Sequence, residues 1–131
     1  MATKFTSASD LKTVRGLGSA KSGVHHWWMQ RVTAVGNVVL MLWFIMSLIL
    51  LPSLSHSSVI AWIAQPVVAI PLLLLILSVF WHFRLGVQVM IEDYVHAEGT
   101  KMLALLALKF YVVAAGATAV FAVLSIAFGA R

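Results

Sequence analysis

The sequence predicts an all-α membrane protein with three transmembrane helices, and three observations carry that expectation. Of the 131 residues, 62% are hydrophobic and only 10% charged, too few charges to keep a soluble globule dispersed. Three long apolar tracts are separated by shorter polar stretches, and each tract can cross a hydrocarbon core of about 30 Å at about 1.5 Å per residue. Lys and Arg gather at the ends of these tracts and do not interleave with aromatics along one soluble face. The net charge of +5 therefore points to lipid headgroups and not to nucleic acid. Cysteine is absent, which removes disulfides, thiol chemistry and iron–sulfur ligation from this chain.

The elements follow in order. Residues 1–22 read as a polar, basic, Ser/Thr-rich arm. Its composition overlaps that of an organellar transit sequence, but it lacks the apolar stretch of a secretory signal. Gly23 to Arg31 reads as an amphipathic approach in which Trp27 and Trp28 suit the headgroup level. A first span is expected at about 32–51, ended by the turn chemistry of Pro52 and the run Ser53 to Ser58. A second is expected at about 67–91, with Pro66 and Pro71 near its start, where missing donors are tolerated. It is long enough to tilt or to project beyond the lipid. Glu92 to Lys109 reads as a polar segment holding Glu92, Asp93, Tyr94, His96, Glu98 and Lys101, with Lys109 at the interface. The third span follows at about 110–128. Residues 23–131 thus form one three-helix domain, with no internal or inverted repeat of the transporter type.

Orientation comes from the cations. Lys4, Lys12, Arg15, Lys21 and Arg31 precede the first span, the first loop has none, and the second loop has Lys101 and Lys109. The positive-inside rule then places the N-terminus in the cytoplasm or an equivalent matrix compartment, with only Arg131 dissenting.

Among five histidines, His25, His26, His56 and His96 fall in arms or loops, whereas His82 lies inside the second span among apolar neighbours. A polar side chain at membrane depth faces a partner, a cavity or a cofactor, and imidazole is the commonest metal ligand. Ser78, His82 and Gly86 are spaced by four and share one helical face, leaving a shallow slot centred on an imidazole. Two readings stay open: a site for a flat macrocycle whose iron takes His82 as axial ligand, or small residues making ordinary helix contacts. With one histidine at depth, a haem held by two imidazoles needs the second from another subunit.

Asp93 comes eleven residues after His82, nearly the same helical direction and roughly 16 Å further along the axis. With Tyr94 it could hydrogen-bond a quinone carbonyl and help deliver protons, or it could be an interfacial carboxylate beside a belt tyrosine. Arg31, with His25 in the same interfacial layer, could meet a haem propionate through two parallel bonds, or act as a snorkelling anchor. Arg84 points about 200° from His82 and is expected to snorkel, and Asn37 is expected in packing.

Taken together, Gly23-Val24-His25 with Arg31-Val32-Thr33-Ala34, His82 with Gly86, and Asp93-Tyr94 closing the second span resemble a known family. It is the small hydrophobic membrane-anchor (cytochrome b) subunits of succinate dehydrogenase, the succinate:quinone oxidoreductase of respiratory complex II. The likeness covers nearly the whole chain, and the Ser-x-x-His-Arg segment typical of the sister anchor subunit is absent. The resemblance implies three helices forming half of a heterodimeric anchor bundle. It implies that His82 is one axial ligand of a haem b shared with a second cytochrome b anchor subunit, with His25 and Arg31 near its propionates. It implies that Tyr94 hydrogen-bonds ubiquinone, with Asp93 as its acidic neighbour. Flavin and iron–sulfur clusters would then reside in a flavoprotein subunit and an iron–sulfur subunit. These oxidise succinate, a step of the tricarboxylic acid cycle, and feed electron transport. The implied location is the bacterial inner (cytoplasmic) membrane, or alternatively the mitochondrial inner membrane. Competing expectations are a fumarate reductase anchor, a small proton-coupled transporter built on Asp93 and His82, and a structural anchor without cofactor.

The orientation is testable by cysteine labelling. Ser55→Cys should react with an impermeant reagent only from outside the cytoplasm, and Gly99→Cys only from inside. Cytoplasmic labelling at Ser55→Cys would sink the topology.

Overall fold

Hydrocarbon cannot hydrogen-bond a peptide group, so an apolar chain that enters it closes its backbone bonds within helices. The computed structural model describes residues 21–129, and its regular structure there is α1 (Lys21–Ile49), α2 (His56–Ile63), α3 (Pro66–Tyr94) and α4 (Glu98–Gly129). Gly23–Ile49, Pro66–Tyr94 and Glu98–Gly129 are each long and apolar enough to cross a membrane. Three such helices are the pattern of a multi-pass membrane protein. With 29, 29 and 32 residues, α1, α3 and α4 exceed the bilayer core. They are about 43–48 Å long against about 30 Å, so they tilt or project past it. The arm expected at 1–22 lies, up to residue 20, outside the described residues.

Three boundaries differ from the sequence reading, each because helix and hydrocarbon do not end at the same residue. The approach from Gly23 to Arg31 is already helical, since no proline interrupts it and its polar residues cost little outside the lipid. The turn expected across Ser53 to Ser58 is shorter. Ser55, extended at φ −63° and ψ 152°, accepts a bond from the Ser58 amide at 3.4 Å and caps a new two-turn helix, α2. The polar segment from Glu92 to Lys109 is mostly helix, with only Val95 to Ala97 between α3 and α4. The Val95 amide bonds Ile91 O at 3.0 Å and the Lys101 amide bonds Ala97 O at 2.9 Å, so one helix stops as the next starts. Lys109 is therefore not a loop residue. It stands eleven residues into α4, roughly 16 Å from its start.

α3 is the centre of the molecule: it packs against α1 on one side and α4 on the other, while α1 and α4 do not touch. α2 packs against α3 and α4, and Phe44 and Trp62, with centroids 6.1 Å apart, tie it to the end of α1. Rising positions on α1 meet falling positions on α3, with Gln30 near Gly86, Thr33 at His82 and Gly36 near Ser78, so the two run antiparallel. α4 is antiparallel to α3 by the same logic: Tyr111 meets Phe83 at 6.1 Å between ring centroids, and Gly116 meets Phe80. The buried apolar set, Val68, Ala69, Leu75, Leu85, Leu108 and Val123, lies mostly on α3. A row of three helices buries only its middle member well.

Gly116 sets how closely α4 approaches α3. A Cβ there would stand 3.6 Å from Phe80 Cγ, an ordinary contact that Ala can occupy, whereas a longer side chain has to pass the Phe80 ring. Gly116→Ala should unfold near the wild-type midpoint in nanodiscs, and Gly116→Leu should lose about 1–3 kcal/mol by overpacking. Equal midpoints for the two variants would show that the seam is not closed at Phe80.

Candidate functional site

The α1–α3 seam contains the one buried polar side chain among the described residues, Thr33, which is 9% exposed. A hydroxyl cannot be left bare in an apolar seam, and Thr33 is saturated. Its Oγ1 lies 2.7 Å from Met29 O and 3.1 Å from Gln30 O, to which it donates along its own helix. Across the seam it lies 3.0 Å from Nδ1 of His82, which is 49 residues away in sequence and half-buried. Nε2 of His82 has no hydrogen-bond partner among the described residues. The site thus consists of one imidazole, clamped by one nitrogen, with its second nitrogen free.

Ser78 and Gly86 do share the His82 face, and that face is turned toward α1. The Ser78 hydroxyl donates to Thr33 O at 3.4 Å, and a Cβ on Gly36 would stand 3.5 Å from Ser78 Oγ. A Cβ on Gly86 would lie 3.9 Å from Gln30 Nε2. At these two positions the expected slot is taken up by the neighbouring helix, and the small residues let α1 come close enough for Thr33 to reach His82. One turn deeper, Asn37, Val38, Met41, Leu42 and Val79 line an apolar groove of about 390 Å³ on the same seam. Asn37 Oδ1 is buried there without a partner among the described residues.

His25 and Arg31 are not brought together. Six residues on a helix put them about 120° apart. Arg31 lies over the Trp27 ring at 4.2 Å. His25 instead lines a cavity of about 270 Å³ with His26, Met29, Trp81, Arg84, Leu85 and Gln88. Arg84 does more than the expected snorkelling: its guanidinium sits 5.4 Å from the Trp81 ring centre, and its Nε is buried without a partner among the described residues. It also lines a second cavity with Lys109.

At the far end of α3 the helix is unbroken from His82 to Tyr94, so Asp93 keeps its expected rise of roughly 16 Å. Asp93 is exposed, Tyr94 is 79% exposed, and His96 Nδ1 meets the Tyr94 carbonyl at 3.1 Å. Nearby, Gln88 donates to Glu92 at 2.8 Å and Lys101 pairs loosely with Glu98 at 4.0 Å.

A family model described as the succinate dehydrogenase/fumarate reductase transmembrane subunit matches residues 6–126. The chain belongs to this family. It is 35% identical over 104 residues to the succinate dehydrogenase hydrophobic membrane anchor subunit of Rickettsia bellii, covering 79% of this chain and 82% of the relative. Against the anchor subunit of the same name from Paracoccus denitrificans it is 32% identical over 119 residues, 91% of this chain and 92% of the relative. The succinate dehydrogenase membrane anchor subunit of Reclinomonas americana is 32% identical over 92 residues, 68% and 77% of the two chains. The relatives are membrane-anchor subunits of succinate dehydrogenase, part of an enzyme complex, and the family description is compatible with that.

Within that anchor, sequence reasoning reached His82 but missed its clamp. Thr33 lies in the Arg31-Val32-Thr33-Ala34 stretch with no sign of its partner, because nothing local shows which residue 49 positions away will face an imidazole. Arg84 was legible as a cation at depth, yet its pairing with Trp81 and its place between two cavities depend on how α3 rotates against α1 and α4.

Proposed function

We propose that this chain, with a second cytochrome b anchor subunit, holds haem b through His82 and forms part of the ubiquinone-reducing site through Tyr94 and Asp93. Iron–sulfur and flavoprotein subunits docked on the cytoplasmic face of a bacterial inner membrane would deliver the electrons of succinate. The observation that carries the haem reading is the His82 imidazole: mid-helix, oriented across a seam by Nδ1, and with Nε2 unengaged among the described residues. A ligating histidine needs one nitrogen held and the other free. Haem would supply one-electron chemistry, and this chain would hold its iron through Nε2 of His82. Arg31 would be the propionate partner, by charge and planar geometry. Ser78 and Gly86 serve the site by closing the seam.

Ubiquinone is lipid-soluble and its electrons arrive from a soluble subunit, so the two meet near the membrane surface where that subunit docks. Tyr94 ends α3 at the side carrying most Lys and Arg, and its exposed hydroxyl is free to donate to a quinone carbonyl. That bond strengthens as negative charge builds on the oxygen. Asp93, beside it, is placed to pass protons. The succinate dehydrogenase names of the relatives favour succinate oxidation over fumarate reduction.

Two substitutions in the purified complex separate these roles. His82→Leu should abolish or shift the low-spin haem b spectrum, and an unchanged spectrum and redox titration rule out ligation. Tyr94→Phe should slow ubiquinone reduction roughly tenfold or more, the scale of one lost charge-assisted bond of about 1.5–3 kcal/mol. Succinate oxidation by a water-soluble acceptor should stay near normal. Unchanged quinone kinetics and inhibitor sensitivity in both Tyr94→Phe and Asp93→Asn would leave Tyr94 as an interfacial belt residue.

A further inference from the structure

Thr33 has one proton to give, and the geometry decides where it goes. Its Oγ1 lies 2.7 Å from Met29 O, an atom that can only accept. If the hydroxyl proton pointed at His82, two oxygens at that distance would face each other lone pair to lone pair, inside an apolar seam. The proton therefore points back along α1, and what Thr33 offers to Nδ1 of His82, 3.0 Å away, is a lone pair. Nδ1 must carry the hydrogen. A neutral imidazole has only one, so the lone pair of the ring resides on Nε2.

We infer that Thr33 is the positioning residue that fixes the tautomer and rotation of His82, so that Nε2 is presented as the electron-pair donor to a haem iron. This rests on the haem reading of His82 and adds a residue to it. Three features of the seam serve the same bond. The backbone carbonyls of Met29 and Gln30 fix the hydroxyl rotor. The Ser78 hydroxyl donates to the Thr33 carbonyl at 3.4 Å, and Gly36 lets the two helices approach at that level. The bond does more than aim the ring: a lone pair on Nδ1–H raises the donor strength of the other nitrogen, which favours the more positive ferric iron. Thr33 thereby holds the haem potential down.

The test compares Thr33→Val, nearly isosteric but without the hydroxyl, with Thr33→Ser, which restores it, in the intact purified complex. The readouts are haem content, the low-spin spectrum and the midpoint potential of haem b. Thr33→Val should raise the potential, with a change of up to tenfold in the ferric-to-ferrous ratio at a fixed potential, about 59 mV for a one-electron couple. It should also bind haem more weakly by about tenfold. Thr33→Ser should return both toward wild type, an outcome that a purely steric role for Thr33 does not produce. If Thr33→Val fails to assemble, Thr33→Ala carries the same comparison with less bulk in the seam. A potential and spectrum unchanged in the hydroxyl-free variant, while His82→Leu loses the haem band, overturn the role of Thr33 and leave His82 as ligand. A spectrum unchanged in His82→Leu overturns both.

Discussion

Each polar group in this chain has to find its partner inside protein wherever lipid replaces water, and most of the architecture follows. The backbone answers with three unbroken helices, each longer than the hydrocarbon is thick, which include the amphipathic Gly23 to Arg31 and the polar Glu98 to Lys101. Among the described residues, non-helical backbone is confined to the short connections between helices. Side chains answer more selectively. Thr33 is satisfied by its own helix and by His82, and this contact, with the Ser78 hydroxyl on the Thr33 carbonyl, joins α1 to α3 by polar bonds.

The central position of α3 suits the roles proposed for its residues. It is flanked by both other long helices, so its side chains can be held from either side, and His82, Arg84, Asp93 and Tyr94 are all carried on one rigid rod. A rod preserves spacing: about 18 Å separates the levels of His82 and Tyr94, whatever the outer helices do. The cost of this layout is that two broad faces remain apolar, with Val35, Val38, Leu42, Phe121 and Phe128 well exposed. In a bilayer such faces are covered by lipid or by another helix bundle, and an anchor subunit of a larger complex has use for both.

The same logic makes the orphan atoms informative. His26 Nε2, Asn37 Oδ1 and Arg84 Nε are buried without partners among the described residues, and each lies on a residue that lines a cavity on the α1–α3 seam. Buried polar atoms in a working membrane protein are satisfied. Their partners come from water, lipid, cofactor or another chain.

What the sequence determined by itself was whatever depends on composition and on the fixed pitch of a helix. Apolar length showed three spans, and residue types at helical spacing put Ser78, His82 and Gly86 on one face and Asp93 roughly 16 Å beyond. The motifs at Arg31, His82 and Asp93-Tyr94 were enough to show the family. Helix ends are not legible from hydropathy, which marks where lipid stops, whereas helices start and stop where capping and turn chemistry say so, at Ser55 and at Val95 to Ala97. Only the tertiary structure decided which face of α1 meets which face of α3. That rotation turned the Ser78–Gly86 face into a packed seam, placed His25 in a cavity beside Arg84 and Gln88, and set Thr33 against His82. No local signal encodes it, since it results from fitting two whole helix surfaces together, Gly36 against Ser78 and Gln30 against Gly86, and the hydrogen bond at Thr33 follows from that fit.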